Sequence, residues 1–257
     1  MGSVSSSIDN CIEKHIYYPP KIDKNQYKFL DTVRSLVFEV RTAKKEKVCG
    51  VYIRPRQNNF PHKYIVFSNG NNSDTLTLFE YLKNLSDDLN VGVISYDYIG
   101  YGVSEMKPPS EKLCYDSLEA IMNHLLEECY LSPKNIFLVG YSLGTGVVVN
   151  YISQKSWKTP VILISPYKSI CTVVFDHLIV SPIDKFKSLK KIKNVVCPVK
   201  IFHGNADEVI LVGHAKKIYN YLPNKSLKPV FFKGVGHNDI LGKISKKHFD
   251  EVLNYQQ

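Results

Sequence analysis

The chain contains no run of about 18 consecutive apolar residues, the length a helix needs to cross a bilayer. Its polar start also lacks the apolar core of roughly 7–15 residues that marks a secretory signal. Membrane spanning and secretion are both without support, and the expected setting is cytoplasmic, free or attached to the cytosolic face of a membrane. The six cysteines, Cys11, Cys49, Cys114, Cys129, Cys171 and Cys197, form no C-x-x-C pair. Neither a zinc site nor a compact disulfide framework is expected, and dispersed thiols fit a reducing compartment. Acidic residues are the minority, 24 against 33 basic, for a net charge of +9, yet the basic residues are scattered and form no stripe. Nucleic acid is therefore not an expected partner. The densest basic stretch, residues 185–193, reads as a solvated helix face or a loop. No internal repeat is visible, which excludes a solenoid.

What is present is an ordinary globular composition, 44% hydrophobic and 22% charged over 257 residues, enough for one sizeable core. A short N-terminal arm, residues 1–20, precedes a single domain over 21–257. Two alternating segments, 35–42 and 47–54, predict an antiparallel hairpin. Compact apolar runs then recur at 64–67, 91–96, 136–139, 161–164, 199–202 and 230–232. Between them, helical spacing predicts helices over 75–89, 111–128, 145–154, 213–221 and 243–255. Strands alternating with helices predict an α/β fold: a mostly parallel sheet of about eight strands with helices on both faces. Only about thirty residues separate Ser165-Pro166 from Val199, too few for a large helical cap.

In such sheets the chemistry lies beyond the carboxyl ends of the strands. Directly after the run 136–139 stands Gly140-Tyr141-Ser142-Leu143-Gly144, the G-x-S-x-G pattern of a nucleophile elbow, between a predicted strand and a predicted helix. Its glycines are expected to permit a sharp, strained turn and to bring the helix N-terminus close. A serine hydroxyl needs a base and an orienting acid, in the chain order Ser, Asp or Glu, His. Asp207 follows the run 199–202 and His237 follows 230–232, so both fall at strand ends. Glu208 is the neighbouring alternative acid, and His203 reads as a packed or hydrogen-bonded histidine. The oxyanion of a tetrahedral intermediate needs two N–H donors. Leu143, after the nucleophile, supplies one, and the loop Asn69-Gly70-Asn71-Asn72 supplies the other, with Asn71 preferred and Asn72 the alternative. The segment 97–102, Asp-Tyr-Ile-Gly-Tyr-Gly, is not a complete dinucleotide fingerprint and is expected to shape a loop beside the site. No cofactor and no metal are expected.

Together with Phe67-Ser68-Asn69-Gly70-Asn71, Tyr96 to Gly102, Ser165-Pro166, His203-Gly204, Asp207-Glu208-Val209-Ile210 and Gly236-His237-Asn238-Asp239, these motifs make the chain resemble the α/β-hydrolase domain-containing protein 17 group. The resemblance runs over about residues 17–255 and implies the α/β-hydrolase fold without a large cap. It further implies a triad of Ser142, Asp207 and His237, no cofactor, and removal of palmitate from protein cysteines at cytosolic membrane faces. Substrates of two kinds follow, an acylated protein or a lipid ester such as a monoacylglycerol, lysophospholipid or small carboxylic ester. A catalytically silent binding module is the alternative from another class. Asn69 stands where the group usually carries histidine and Tyr141 where glutamine is common, and both substitutions are expected to reshape the substrate entrance. In place of the group's N-terminal cysteine cluster the chain has Cys11 alone, after a Met1-Gly2 start that fits N-myristoylation. Gly2 and Cys11 are the lipidation candidates, and two anchors together would hold a protein at a membrane where one chain holds it weakly. The oligomeric state is not legible.

Overall fold

A computed structural model describes residues 16–57, 60–174 and 184–256. Eight strands form one sheet: β1 (Ser35–Arg41), β2 (Lys47–Ile53), β3 (Tyr64–Ser68), β4 (Gly92–Tyr96), β5 (Ile136–Tyr141), β6 (Val161–Ile164), β7 (Val199–Gly204) and β8 (Val230–Phe232). Their spatial order is β1-β2-β4-β3-β5-β6-β7-β8. The hairpin β1–β2 and the β2–β4 pair are antiparallel, and every later pairing is parallel. The mostly parallel eight-stranded sheet is the one expected from the alternation of apolar runs and helical segments, and its order is that of the α/β-hydrolase fold the resemblance implied.

Two-faced burial follows from the period of a strand. Val66, Ile94, Leu138, Leu163 and Ile201 face one core layer, while Ile65, Phe67, Val93, Val139, Ile162 and Phe202 face the other. The first layer is covered by α2 (Glu111–Asn123), α3 (Leu143–Gln154) and α6 (Val212–Tyr221), through Leu118, Ile121, Val148, Ile152 and Ile218. The second is covered by α1 (Thr75–Leu89) and α7 (Lys246–Leu253), through Leu82, Leu85, Phe249 and Val252. Short helices α4 (Ile170–Val174) and α5 (Ser188–Lys191) lie between β6 and β7.

Three helices depart from the periodic reading at their ends. The helix expected over 111–128 leaves α geometry after Asn123 and continues as a π turn, His124–Glu128, closed by the Cys129 N–H donating to the His124 carbonyl. The helix expected from 243 begins only at Lys246, because a 3₁₀ turn, Ile240–Lys243, comes first and Ser245 caps α7. The helix after the elbow starts at Leu143 and not at Thr145, so its first turn abuts Ser142. In the basic stretch, Phe186 and Ile192 are buried, and the Lys191 ammonium sits 4.3 Å from the Tyr115 ring centroid.

Candidate active site

Ser142 lies between β5 and α3 with φ 50° and ψ −116°, a conformation an L residue adopts only under constraint. Such strain costs roughly 1–3 kcal/mol and persists where surrounding contacts over-determine it. Those contacts come from the end of β6 and the first turn of α3. The Ser142 N–H donates to the Ile164 carbonyl at 2.9 Å, and the Ser142 carbonyl accepts from the Thr145 N–H at 2.9 Å and hydroxyl at 2.7 Å. The strain falls on Ser142 itself, and the elbow glycines, neither of which has positive φ, permit the turn in another way. They are needed for close approach: a Cβ on Gly140 would sit 2.7 Å from the Gly144 carbonyl oxygen, and one on Gly144 only 2.1 Å from that of Ser68. With both sites bare, α3 packs its N-terminal, partially positive end against the serine.

The acid and the base come from the ends of the two adjacent strands β7 and β8. Their loops are tied together: the Ala206 N–H donates to the Val235 carbonyl, and the Asn205 side chain accepts the Gly234 N–H. Asp207 Oδ1 accepts the N–H groups of Val209 at 3.0 Å and Ile210 at 2.7 Å. Its Oδ2 lies 2.7 Å from His237 Nδ1, and His237 Nε2 lies 3.0 Å from Ser142 Oγ. A carboxylate only accepts, so Nδ1 carries the imidazole proton and leaves Nε2 as the acceptor for the serine hydroxyl. The structure therefore brings Ser142, His237 and Asp207 into one hydrogen-bonded chain. Glu208 stays exposed outside it.

Burial of Asp207 opposes its ionisation, yet hydrogen bonds from His203, His237 and Ile210, with the His237 charge, outweigh it and hold the carboxyl well below the usual carboxylate range. His203 belongs to this arrangement, packed near the end of β7 as its place before Gly204 suggested. It is fully buried, donates Nε2–H to the Ile210 carbonyl at 2.7 Å, and places that nitrogen 3.4 Å from Asp207 Oδ2. It thus braces the acid and does not reach the serine.

Tyr141 is a brace the sequence showed only as a departure from a family pattern. Its ring stacks on His237, centroids 5.7 Å apart at 25°, and its hydroxyl donates to the His237 carbonyl at 3.2 Å. Asn69 corrects an expectation. It is 1% exposed, and its side-chain amide donates to the Tyr96 carbonyl at 2.9 Å, so it supports the loop from below and does not shape the entrance.

Ser142 and His237 open into a groove of about 540 Å³, with Asp207 buried behind the histidine. Leu143 and Asn71 both line it, as do Gly70, Asn72, Leu78, Tyr167, Ile210 and Leu241. Among the described residues, no backbone acceptor takes the main-chain N–H of Leu143 or of Asn71. Two further lining residues, Ile16 and Tyr18, come from the N-terminal arm. Nothing in the local pattern of that arm pointed to the groove, because its contacts are with residues more than fifty positions away. The segment 97–102 does lie beside the site, through Tyr101, whose hydroxyl donates to Asn71 Oδ1 at 2.7 Å. Gly2 and Cys11 lie outside the described residues. Among the described residues no helix is long and apolar enough to cross a membrane, and no group of three or more His, Cys, Asp or Glu side chains could hold a metal ion.

A strained serine at a strand-to-helix turn, under a sheet of this order, defines an α/β-hydrolase. Comparison with known proteins agrees. The chain is 51% identical over 253 residues to the alpha/beta hydrolase L404 of Acanthamoeba polyphaga mimivirus, covering 98% of this chain and 96% of that one. It is 37% identical over 213 residues to human alpha/beta hydrolase domain-containing protein 17C, covering 82% of this chain but 62% of the human one. The chain thus spans about three fifths of the length of that relative. Among solved structures, the Pyrococcus furiosus esterase Pf2001 superposes with a TM-score of 0.69 at 16% identity, over 93% of this chain and 95% of the esterase, a likeness of fold. No family model matches the chain. The protein belongs to the alpha/beta hydrolase family.

Proposed function

We propose that this hydrolase cleaves acyl esters and thioesters by way of a covalent acyl-enzyme on Ser142, and that its substrate is a palmitoylated protein. The observation that carries the reading is the unbroken chain from Asp207 through His237 to Ser142, ending in a groove with apolar walls. The groove's volume falls in the range of roughly 300–1,000 Å³ typical of sites for small organic groups. The resemblance to the protein 17 group supplies the preference for a protein thioester over a lipid ester. The lipidation candidates Gly2 and Cys11 would bring the enzyme to the membrane surface where such substrates lie.

In the forward step, Ser142 Oγ attacks the acyl carbonyl carbon while its proton passes to His237 Nε2. Asp207 holds the imidazole in the required tautomer and stabilises the imidazolium that forms. The carbonyl oxygen becomes an oxyanion received by the N–H groups of Leu143 and Asn71. Collapse expels the cysteine thiolate, which takes the proton from His237. Water, deprotonated by the same imidazole, then attacks the acyl-enzyme; collapse breaks the Ser142 Oγ–acyl bond, His237 returns the proton to Oγ, and the fatty acid leaves.

Turnover of a palmitoyl-peptide thioester, a monoacylglycerol and p-nitrophenyl butyrate by one enzyme sample tests this reading. The thioester is expected to show the highest kcat/KM, and a higher value for the monoacylglycerol replaces the protein substrate with a lipid ester. Ser142→Ala is expected to lower kcat by on the order of 10⁶-fold. Retained turnover in that variant overturns the mechanism, and failure of a fluorophosphonate to label Ser142 in the wild type assigns the fold to binding.

A further inference from the structure

We propose that the side chain of Asn71 is a positioning residue that straps the N-terminal arm to the oxyanion loop and so makes the arm part of the catalytic site. The proposal rests on the serine-hydrolase reading above. Three bonds carry it. Asn71 Nδ2 donates to the Ile16 carbonyl at 2.5 Å, and Asn71 Oδ1 accepts both the Tyr18 N–H at 3.1 Å and the Tyr101 hydroxyl at 2.7 Å. The amide thus uses both of its ends on partners 55, 53 and 30 positions away, none of them belonging to its own loop.

Ile16 and Tyr101 are themselves anchored, and the exposed Tyr18 is held through its buried neighbour Tyr17. Ile16 and Tyr17 are buried at 4% and 6% exposure, and the Tyr17 ring packs edge-on against Phe186. Tyr101 is 1% exposed and packs edge-on against Tyr98, whose hydroxyl donates to the Asn69 carbonyl at 2.8 Å. The loop between β3 and α1 makes no strand pairing of its own and is therefore held at Asn69 from below and at Asn71 from the side. With its side chain committed in this way, Asn71 has its main-chain N–H left for the oxyanion. The strap also seats Ile16 and Tyr18 as a wall of the groove, so one set of bonds fixes both a donor and part of the acyl-binding surface.

An oxyanion contact strengthens only as charge develops, so its misplacement lowers kcat and leaves KM nearly unchanged. Full-length Asn71→Ala, Asn71→Asp, Tyr101→Phe and the Asn71→Ala/Tyr101→Phe double variant provide the test. Turnover of p-nitrophenyl butyrate is normalised to sites titrated by a fluorophosphonate, with melting temperature measured alongside. Asn71→Ala is expected to lower kcat by about ten- to a hundredfold, since the N–H is retained but displaced, and to raise KM by a smaller factor, since the Ile16–Tyr18 wall is released with it. Asn71→Asp sets a carboxylate oxygen against the Ile16 carbonyl and a negative charge beside the oxyanion, so its loss is expected to be at least as large as that of Asn71→Ala. Tyr101→Phe is expected to cost about three- to tenfold alone and almost nothing in the Asn71→Ala background, because the two groups share one bond. Unchanged kcat per titrated site in Asn71→Ala, or losses that multiply in the double variant, overturns the proposal even where the melting temperature falls. A wild-type protein that neither turns over nor labels overturns the hydrolase reading and the strap's catalytic role with it.

Discussion

Two buried aspartates, one after β7 and one after β4, are shifted in opposite directions. Asp207, at the end of β7, is held well below the usual carboxylate range. Asp97, just after β4, is pushed up to about 6, chiefly by burial, with the nearby Asp74 charge adding to it. Asp97 also has good partners, the Thr75 N–H at 2.9 Å, the Tyr27 hydroxyl at 2.7 Å and the Val103 N–H at 3.3 Å. What it lacks is a neighbour able to take positive charge. Asp207 has two histidines within reach, one of which, His237, would become cationic in the proposed mechanism. The lesson concerns the two halves of the site. The acid–base half rests on adjacent parallel strands and a charge that chemistry requires, whereas the oxyanion half rests on neutral hydrogen bonds between loops, α1 and the arm.

The sharpest way to break the acid–base half is Asp207→Asn, which keeps the shape and reverses the tautomer preference of His237. A loss of about 10⁴-fold in kcat is expected, read from ester turnover per titrated serine. A loss under about tenfold would place the orienting role elsewhere.

On the other half, Asp97 predicts a pH signature in stability. Its folded pKa of about 6 exceeds the unfolded value of about 3.9, so the native state binds the proton more tightly. The associated stability is fully present below about pH 4 and is lost as pH rises through about 6, by about 3 kcal/mol in all. Asp207 has the opposite sign: its contribution is present above about pH 4 and is lost as pH falls further. Denaturant unfolding from pH 4 to 7 should therefore flatten in Asp97→Asn relative to the wild type. An unchanged slope would show that Asp97 ionises normally. The smallest expected effect is that of Tyr141→Phe, which keeps the ring stacked on His237 and removes the bond to its carbonyl. About 1 kcal/mol of stability and a severalfold drop in kcat are expected from thermal melts and turnover.

Much of the site was legible because its residues sit where local sequence speaks. Gly140 and Gly144 flank Ser142 because a Cβ at either would strike backbone, and although the backbone met at Gly144 belongs to Ser68, the pattern that records the requirement spans five residues. Asp207 and His237 each follow an apolar run, and strand ends can be read from such runs. The end of α2 was less legible, because π and α turns share nearly the same apolar spacing and the difference lies in one hydrogen-bond register. The bracing residues were least legible. Tyr141 carries no local mark of its stacking on a histidine 96 positions later, and His203 reads alike whether it packs, supports an acid or acts as a base.

By itself, the sequence determined the alternation of strands and helices, the elbow around Ser142 and the order of acid and base after it. All three depend on short-range sterics and on the burial periodicity of single elements. Only the tertiary structure decided that the strain falls on Ser142 and not on its glycines, that His203 supports Asp207, and that the arm closes on Asn71. Those outcomes depend on the order in which β3, β5, β7 and β8 lie side by side and on where loops then meet. A pairing across fifty or more residues follows from that order, and no local periodicity encodes it.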